Sequence, residues 1–150
     1  SIPLPKDLVF FNGLGGFRPD GSEYVIAINN KNKTPAPWVN VIANPGFGTI
    51  ISESGNAYTW TENAHELRLT PWNNDPVSDT GGEAFYLRDE ESGHFWSTTL
   101  LPAGGERSYI TRHGRGDSIF ENLEEVISPG MTVYVDREEE INSRGLKIKT

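Results

Sequence analysis

The sequence predicts an all-β protein, an antiparallel β-sandwich with little helix, and three observations support this prediction. The 16 Gly and 10 Pro are scattered without a fixed period, which is typical of short strands joined by tight turns. Short apolar runs with period-two alternation recur between those turns. No long helical pattern separates the runs, and this favours an antiparallel sandwich over a parallel sheet.

The first half of the chain alternates strand-like runs with turn residues. Leu8–Phe11 is a short apolar run stopped by Asn12-Gly13 and Gly15-Gly16, so we predict a strand followed by a glycine-bearing turn. We expect it to form a hairpin with Glu23–Ile28, whose apolar residues alternate at period two. The same reasoning predicts further strands at Trp38–Ala43, Thr49–Ser52 and Ala57–Thr61.

Two irregular segments follow. Glu62–Leu69 contains a possible helical turn, because Asn63 is placed to cap it and Glu66 stands three residues later. Its short length fits a loop equally well. Pro71–Gly82 is dense in Asn, Asp, Pro and Gly, which predicts a long ordered loop of the kind that often carries function on a rigid scaffold.

The second half begins with a predicted hairpin. Ala84–Arg88 and His94–Thr99 flank the turn Asp89–Gly93, with Phe85 and Leu87 expected opposite Phe95 or Trp96. Further strands are predicted at Ser108–Arg112, at Ile119–Val126, at Met131–Val135 and around Leu146 and Ile148.

Composition limits the class of protein. We expect residues 1–150 to form a single β-sandwich domain, or part of one, within a larger multidomain protein, because the chain lacks an initiator Met and ends in a strand-like pattern. The net charge of −8 argues against nucleic acid and anionic membranes as partners. No apolar run approaches the ~20 residues of a membrane span, and we expect a cytoplasmic location. The absence of Cys excludes disulfides and thiolate sites.

Catalytic and metal-binding motifs are not evident in the sequence. The glycines of Gly13–Gly16 lack dinucleotide-binding spacing and precede no amphipathic helix, so we interpret them as a turn. We predict no metal and no cofactor, because the three histidines, His65, His94 and His113, are scattered. No catalytic residue is predicted, since no convincing glycosidase pair emerges among the central carboxylates Glu53, Glu62, Glu66, Asp75 and Asp79. Asp89, Glu90 and Glu91 are interpreted as a solvated turn.

The stretch Tyr58–Asp75, YTWTENAHELRLTPWNND, combines flat aromatic rings with amide and charged groups. Sugars present apolar C–H faces and hydroxyls, which such groups match chemically. We predict a sugar-binding site formed by Tyr58, Trp60, Asn63, Arg68, Trp72, Asn74 and Asp75. The alternative is structural: Trp60 and Trp72 would anchor the core, and Arg68 would pair with Asp75.

Several blocks, in one order along nearly the whole chain, carry a family resemblance. The blocks are FFNGLGGF, EYVI, TPAPWVNVIANPGFG, SESGNAYTW, LTPWNNDPVSD, YLRDEESG and RHGRG. They closely resemble the phosphorylase-like region of cyclic β-1,2-glucan synthases, and cellobiose and chitobiose phosphorylases share a looser form of two of them. Where such proteins usually read Asn-Ser-Arg, this chain reads Asn63-Ala64-His65 and so lacks a hydroxyl and a permanent charge.

The resemblance implies a multidomain parent in which an N-terminal β-sandwich packs on a helical (α/α) toroid that holds the general acid and most of the phosphate site. It also implies that the sandwich contributes loops near the sugar site or to the neighbouring subunit of a dimer. The leading hypothesis is a non-catalytic module whose partners are a β-glucan oligosaccharide or polysaccharide and the remaining domains of its parent, with a second copy in a homodimer as a further candidate partner. The parent would be a soluble phosphorylase or a synthase anchored in the bacterial inner membrane. An autonomous carbohydrate-binding module and a subunit-assembly element are the alternatives.

Overall fold

The computed structural model describes residues 4–71, 77–78, 82–122, 130–136 and 144–149. Within these ranges no helix is long and apolar enough to cross a membrane. The strands of the described residues are β1 (Gly15–Phe17), β2 (Glu23–Ile28), β3 (Val39–Ala43), β4 (Phe47–Ser52), β5 (Ala57–Thr61), β6 (Tyr86–Arg88), β7 (Phe95–Ser97), β8 (Tyr109–Gly114), β9 (Asp117–Asn122), β10 (Gly130–Val135) and β11 (Arg144–Lys149).

The strands form three antiparallel sheets, which confirms the predicted all-β class. A six-stranded sheet has the order β1-β2-β8-β9-β10-β11, a three-stranded sheet has the order β3-β4-β5, and β6 pairs with β7. Most neighbours in the sheets are also neighbours in sequence. The exception is β2, which pairs with β8 through Ile26 opposite Thr111, so the three-stranded sheet and the β6–β7 hairpin are insertions between two adjacent strands.

The first predicted strand was wrong in position. Leu8–Phe11 contributes a single bridge, between Val9 and Phe17. The strand that pairs with β2 is β1, so two glycines expected in a turn lie in the sheet. Their lack of a side chain explains this, because a Cβ on Gly15 would lie 2.6 Å from the Val25 carbonyl oxygen and one on Gly16 would lie 2.9 Å from that of Val9.

The turn before β1 is closed by a side chain. The Oδ1 atom of Asn12 accepts hydrogen bonds from the backbone amides of Leu14 at 3.1 Å and Gly15 at 3.0 Å. This is an Asx-type turn, in which the Asn side chain replaces a backbone acceptor. The predicted turn therefore exists, but it ends before Gly15.

The two larger sheets pack face to face and enclose the main core. Alternate side chains of each strand point inward, as the period-two pattern requires. The core joins Ile42, Phe47, Ile51 and Ala57 of the three-stranded sheet to Phe120, Met131, Val133 and Val135 of the six-stranded sheet. A second cluster comprises Ile26, Ile28, Leu100 and Tyr109, with Tyr24 and Trp38 packed against it.

Polar contacts also fasten the sheets together. Asn40 of β3 donates from Nδ2 to the carbonyl oxygens of Gly114 at 3.0 Å and Asp117 at 2.9 Å. His113 of β8 lies 3.0 Å through Nε2 from the Trp38 carbonyl oxygen and 2.9 Å through Nδ1 from the Ser118 hydroxyl. Because a carbonyl only accepts, Nε2 carries the proton and Nδ1 accepts from Ser118. Burial lowers the pKa of His113, which favours this neutral form.

The β6–β7 hairpin agrees in part with its prediction. Leu87 lies opposite Trp96, as expected, whereas Phe85 precedes β6 and packs against the main core. The turn between the strands is fixed by Asp89, whose carboxylate accepts from the Glu91 amide at 3.0 Å and from the Ser92 hydroxyl. These hydrogen bonds lower the pKa of Asp89, which supports the interpretation of this acidic run as a solvated turn.

Several predicted boundaries shift by a few residues. The strand predicted at Ser108–Arg112 extends to Gly114, and the one predicted at Ile119–Val126 begins at Asp117. Its last four residues lie outside the described residues, as does most of the predicted loop Pro71–Gly82.

Candidate functional site

The three-stranded sheet places two aromatic side chains on the face that points away from the core. On β5, Ala57 and Thr59 are buried and point inward. Tyr58 and Trp60 alternate with them and are partly exposed on the opposite face. The structure therefore does not bury these rings as central core anchors.

Trp60 lies flat against the sheet because its cross-strand partner is a glycine. Gly48 of β4 stands directly opposite Trp60, and a Cβ on Gly48 would lie 2.3 Å from Cζ2 of the indole. Any larger residue at this position would push the ring outward. The glycine thus provides the space in which the indole rests on the backbone.

Tyr58 extends the same aromatic surface. Its ring centroid lies 5.7 Å from that of Trp60, and the two ring planes are inclined by only 33°. Ile50 of β4 stands opposite Tyr58 and supports it across the sheet. We refer to the rings of Tyr58 and Trp60 as the aromatic platform.

The segment after β5 is a single turn rather than a helix, and Asn63 caps it. The side-chain oxygen of Asn63 accepts hydrogen bonds from the backbone amides of His65 at 2.8 Å and Glu66 at 3.4 Å. The backbone carbonyl oxygen of Asn63 accepts a hydrogen bond from the Leu67 amide at 2.9 Å. The capping geometry predicted from the sequence is confirmed. The Oδ1 atom of Asn63 is consequently engaged within the turn.

Two of the predicted sugar-binding residues converge on this turn. The Tyr58 hydroxyl donates to the Ala64 carbonyl oxygen, and Arg68 donates from Nε to the same oxygen at 3.0 Å. Position 64 is one at which the resemblance implies Ser and this chain has Ala. The contact uses only its backbone, so the substitution of Ala for Ser leaves it intact.

Arg68 lies beside Trp60 because the chain returns along β5. Arg68 forms an antiparallel bridge with Trp60, while the Leu69 amide donates to the Thr59 carbonyl at 2.9 Å. Residues directly opposite each other in an antiparallel pair share a face. The exposed Arg68 side chain is therefore on the side of the aromatic platform.

The structure brings four of the seven predicted site residues together. Tyr58, Trp60 and Arg68 border one surface, and Asn63 holds the turn next to it. The other three, Trp72, Asn74 and Asp75, lie outside the described residues, and so does the alternative pairing of Arg68 with Asp75.

Sequence reasoning missed the residues that complete this surface. Ile50 opposite Tyr58 belongs to the predicted strand Thr49–Ser52, whereas Gly48 beneath the indole lies outside that prediction because the observed strand begins at Phe47. Counting outward from the predicted turn Ser54-Gly55-Asn56 pairs Ile50 with Trp60. The observed register is two residues different, because the hydrogen bond from the Ser52 amide to the Asn56 carbonyl oxygen centres the turn on Ser54 and places Gly48 opposite Trp60.

The surface offers stacking and hydrogen bonding. The aromatic platform provides flat apolar faces, and Arg68 provides a permanent positive charge with several donors. Within the described residues, His, Asp and Glu side chains do not assemble in threes in a way that would hold a metal ion.

A comparison with protein families matches residues 22–150 to the family described as glycosyl hydrolase 94, supersandwich domain. The cyclic beta-(1,2)-glucan synthase NdvB of Rhizobium meliloti (strain 1021) is 43% identical over 115 residues, covering 76% of this chain and 4% of that protein. The N,N'-diacetylchitobiose phosphorylase of Vibrio proteolyticus is 31% identical over 138 residues, covering 90% of this chain and 17% of that enzyme. The 3-O-beta-D-glucopyranosyl-beta-D-glucuronide phosphorylase of Paenibacillus borealis is 32% identical over 124 residues, covering 82% of this chain and 15% of that enzyme.

These matches confirm the resemblance drawn from the sequence blocks. The chain spans less than a fifth of the length of each of these relatives.

Proposed function

The chain belongs to the glycosyl hydrolase 94 supersandwich family, and from this premise we propose that it is the non-catalytic β-sandwich module of an enzyme that synthesises or processes β-1,2-glucan. The choice of glucan is supported by the relatives. Identity to the cyclic beta-(1,2)-glucan synthase is 43%, whereas identity to the two phosphorylases is 31% and 32%. Glycosyl transfer or phosphorolysis would take place in polypeptide outside this chain.

The observation that carries the sugar-binding part of the proposal is the flat placement of Trp60 on Gly48 beside Tyr58. A partly exposed indole that rests on the backbone is suited to stack against the C–H face of a glucose ring. Arg68 on the same side supplies donors for sugar hydroxyls.

The contribution to the reaction would be positional. The platform is built on strand β5, and the turn after this strand is held by hydrogen bonds from the Tyr58 hydroxyl and from Arg68. The geometry of the platform is therefore fixed before a sugar arrives. A glucan chain held there would be oriented for chemistry performed by another domain. No proton transfer or covalent step is assigned to this module.

The test is the Trp60→Ala variant of the full-length parent enzyme. We expect KM for β-1,2-gluco-oligosaccharides to rise by roughly 2- to 12-fold, because aromatic stacking contributes ~0.5–1.5 kcal/mol. Phe95→Ala is the matched control, since Phe95 is an exposed aromatic residue on a different sheet. Unchanged kinetics in a correctly folded Trp60→Ala enzyme would remove the platform from sugar handling.

Calorimetry separates this role from that of an autonomous carbohydrate-binding module. The isolated 150-residue chain would be titrated with the same oligosaccharides. A module that works only within its parent gives no heat of binding, whereas an autonomous module binds without other domains.

A further inference from the structure

Two residues other than glycine adopt the left-handed backbone conformation within the described ranges, and one of them adjoins the aromatic platform. Glu62 and Phe10 both have φ of +54°. This conformation is unfavourable for a residue with a Cβ, because the Cβ comes too close to the following carbonyl oxygen. Strained residues of this kind are concentrated at functional sites. Glu62 therefore occupies a position at which glycine would avoid the strain.

The strand register shows how close Glu62 is to Trp60. Phe47 stands opposite Thr61, and one step further along the pair the Glu62 amide donates to the Gly46 carbonyl oxygen at 2.7 Å. The β4–β5 pairing thus continues as far as Glu62. Two Cα atoms separated by two residues are at most about 7 Å apart. A sugar stacked on Trp60 consequently lies within reach of the Glu62 side chain.

The Glu62 carboxylate is open to a ligand. Glu62 is exposed, and its carboxylate forms no hydrogen bond or ion pair within the part of the chain that the structure describes. Two other acceptors of the same turn are engaged. The side-chain oxygen of Asn63 caps the turn, and Oε1 of Glu66 lies 2.7 Å from Nδ1 of His65. Glu62 therefore retains the acceptor capacity that these neighbours have already used.

The two charged residues next to Trp60 have complementary hydrogen-bonding functions. Arg68, opposite Trp60, has donors and no acceptor, whereas an ionised carboxylate such as that of Glu62 has acceptors and no donor. A sugar hydroxyl both donates and accepts, so it can use both residues. Hydrogen bonds with a charged partner are stronger than neutral ones. A few placed polar groups of this kind fix the orientation of a ligand that stacking alone leaves free to turn.

We propose that Glu62 is a sugar-binding residue, whose carboxylate accepts hydrogen bonds from hydroxyl groups of a neutral glucose unit stacked on Trp60 and so fixes the orientation of that unit. This role rests on the proposed function of the aromatic platform. It also accounts for the backbone conformation, since glycine would relieve the strain at this position but would supply no acceptor.

Steady-state kinetics of the full-length parent enzyme with β-1,2-gluco-oligosaccharides tests the proposal. Glu62→Gln keeps the size of the side chain and the backbone strain, but it removes the charge and replaces one acceptor by a donor group. We expect KM to rise roughly 5- to 12-fold with kcat nearly unchanged, because a hydrogen bond to a charged group is stronger than one to a neutral group.

Glu66→Gln is the matched control for the loss of a negative charge. The Glu66 side chain is 70% exposed in the same turn, and its carboxylate is bonded to His65. We expect this variant to have a normal KM. An equal rise of KM in Glu66→Gln and Glu62→Gln would overturn the proposal, since the effect would then come from the charge of the whole turn.

Two glycine variants separate the side chain from the strain. Glu62→Gly and Phe10→Gly each place glycine at φ of +54°, where it is unstrained, and Phe10 is 87% exposed. Neither variant should lower the thermal unfolding temperature of the parent. KM should rise in Glu62→Gly at least as much as in Glu62→Gln, and it should be normal in Phe10→Gly.

A normal KM in Glu62→Gln would overturn the proposal, even if KM were raised in Glu62→Gly, because the backbone and not the carboxylate would then matter. Trp60→Ala distinguishes this failure from failure of the proposed function. A raised KM in Trp60→Ala with a normal KM in Glu62→Gln leaves the platform as a sugar site without the carboxylate. A normal KM in Trp60→Ala removes the platform from sugar handling, and the role of Glu62 with it.

Discussion

The indole of Trp60 rests on the backbone of Gly48, which stands directly opposite it in the β4–β5 pair. Neither residue alone creates the aromatic platform. The tryptophan supplies the ring, and the absence of a side chain on the facing residue lets the ring lie along the sheet.

Gly48→Ala should therefore displace the ring while keeping the tryptophan. The new Cβ would lie 2.3 Å from Cζ2, and the indole must rotate or tilt away. We expect a changed tryptophan fluorescence spectrum and a KM for β-1,2-gluco-oligosaccharides raised about as much as in Trp60→Ala. Gly116→Ala is the control, because a Cβ there meets nothing within 4 Å. A normal KM would show that the flat position of the ring is unimportant.

Asn40 should contribute more to stability than its partial burial suggests. Its Nδ2 group donates to two carbonyl oxygens and to the Ser118 hydroxyl across the sandwich. Asn40→Ala leaves these acceptors without their donor, and we expect a loss of about 1–3 kcal/mol in the free energy of unfolding. Asn40→Asp has the same shape but turns a donor into an acceptor, so urea unfolding should show a larger loss. Equal stability of the two variants would contradict this.

Stability should depend on pH through His113. Burial lowers the pKa of His113 in the folded state, whereas in the unfolded chain it titrates near the usual value of about 6.5. The neutral ring contributes fully to the free energy of unfolding above about pH 6.5. This contribution declines as the pH falls towards the folded-state pKa, because the unfolded state binds the proton first.

The pH dependence of the unfolding midpoint in urea measures this effect. His113→Gln should be less stable than the unmodified chain at about pH 7.5 but should lose less stability between about pH 7 and about pH 5. His65→Gln is the control, since the His65 side chain is 80% exposed and is bonded to neighbouring Glu66. If the stability of His113→Gln depends on pH as strongly as that of the unmodified chain, another titrating group causes the pH dependence.

Gly55 should tolerate substitution poorly. It has φ of +96°, and an added Cβ would lie 2.2 Å from Oγ1 of Thr99. Gly93 has φ of +71°, with open space around it. Both Gly→Ala variants carry the backbone cost of the left-handed region, about 1–2 kcal/mol, but only Gly55→Ala adds a clash of about 1–3 kcal/mol. Chemical unfolding of the two variants separates these contributions, and similar losses would disprove the clash.

Much of the fold could be predicted from local patterns. The hairpin that pairs Leu87 with Trp96 follows from two alternating runs around an acidic, glycine-containing turn. Asn63 is predictable as a cap because its side chain needs only neighbours in sequence to find partners. Such features depend on residues that are only a few positions apart, so they can be predicted directly from the sequence.

The first strand shows where local patterns fail. Leu8–Phe11 has the composition of a strand, yet the sheet uses Gly15–Phe17 beside β2. Strand propensity describes how a side chain fits a pleated surface, and here close packing against Val9 and Val25 favoured residues that have no side chain.

Four of the predicted sugar-site residues are described, and the structure brings them together because they follow one another closely in sequence. The orientation of their side chains could not be predicted in the same way. The sequence is equally compatible with Trp60 in the core and with Trp60 at a surface site, since an isolated aromatic residue fits both.

The sequence by itself determined the all-β class, the turns and the family, because alternation, glycine placement and ordered sequence blocks are properties of neighbouring residues. Only the tertiary structure decided which face of β3–β5 is inside. Val39, Val41, Ile42 and Ile51 are equally apolar, so burial was settled by the facing sheet, whose Phe120 and Met131 cover Ile42 and Ile51 and leave the valines beside Tyr58 and Trp60 exposed. Long-range packing therefore buried some of these aliphatic side chains in the core and left others exposed on the opposite face.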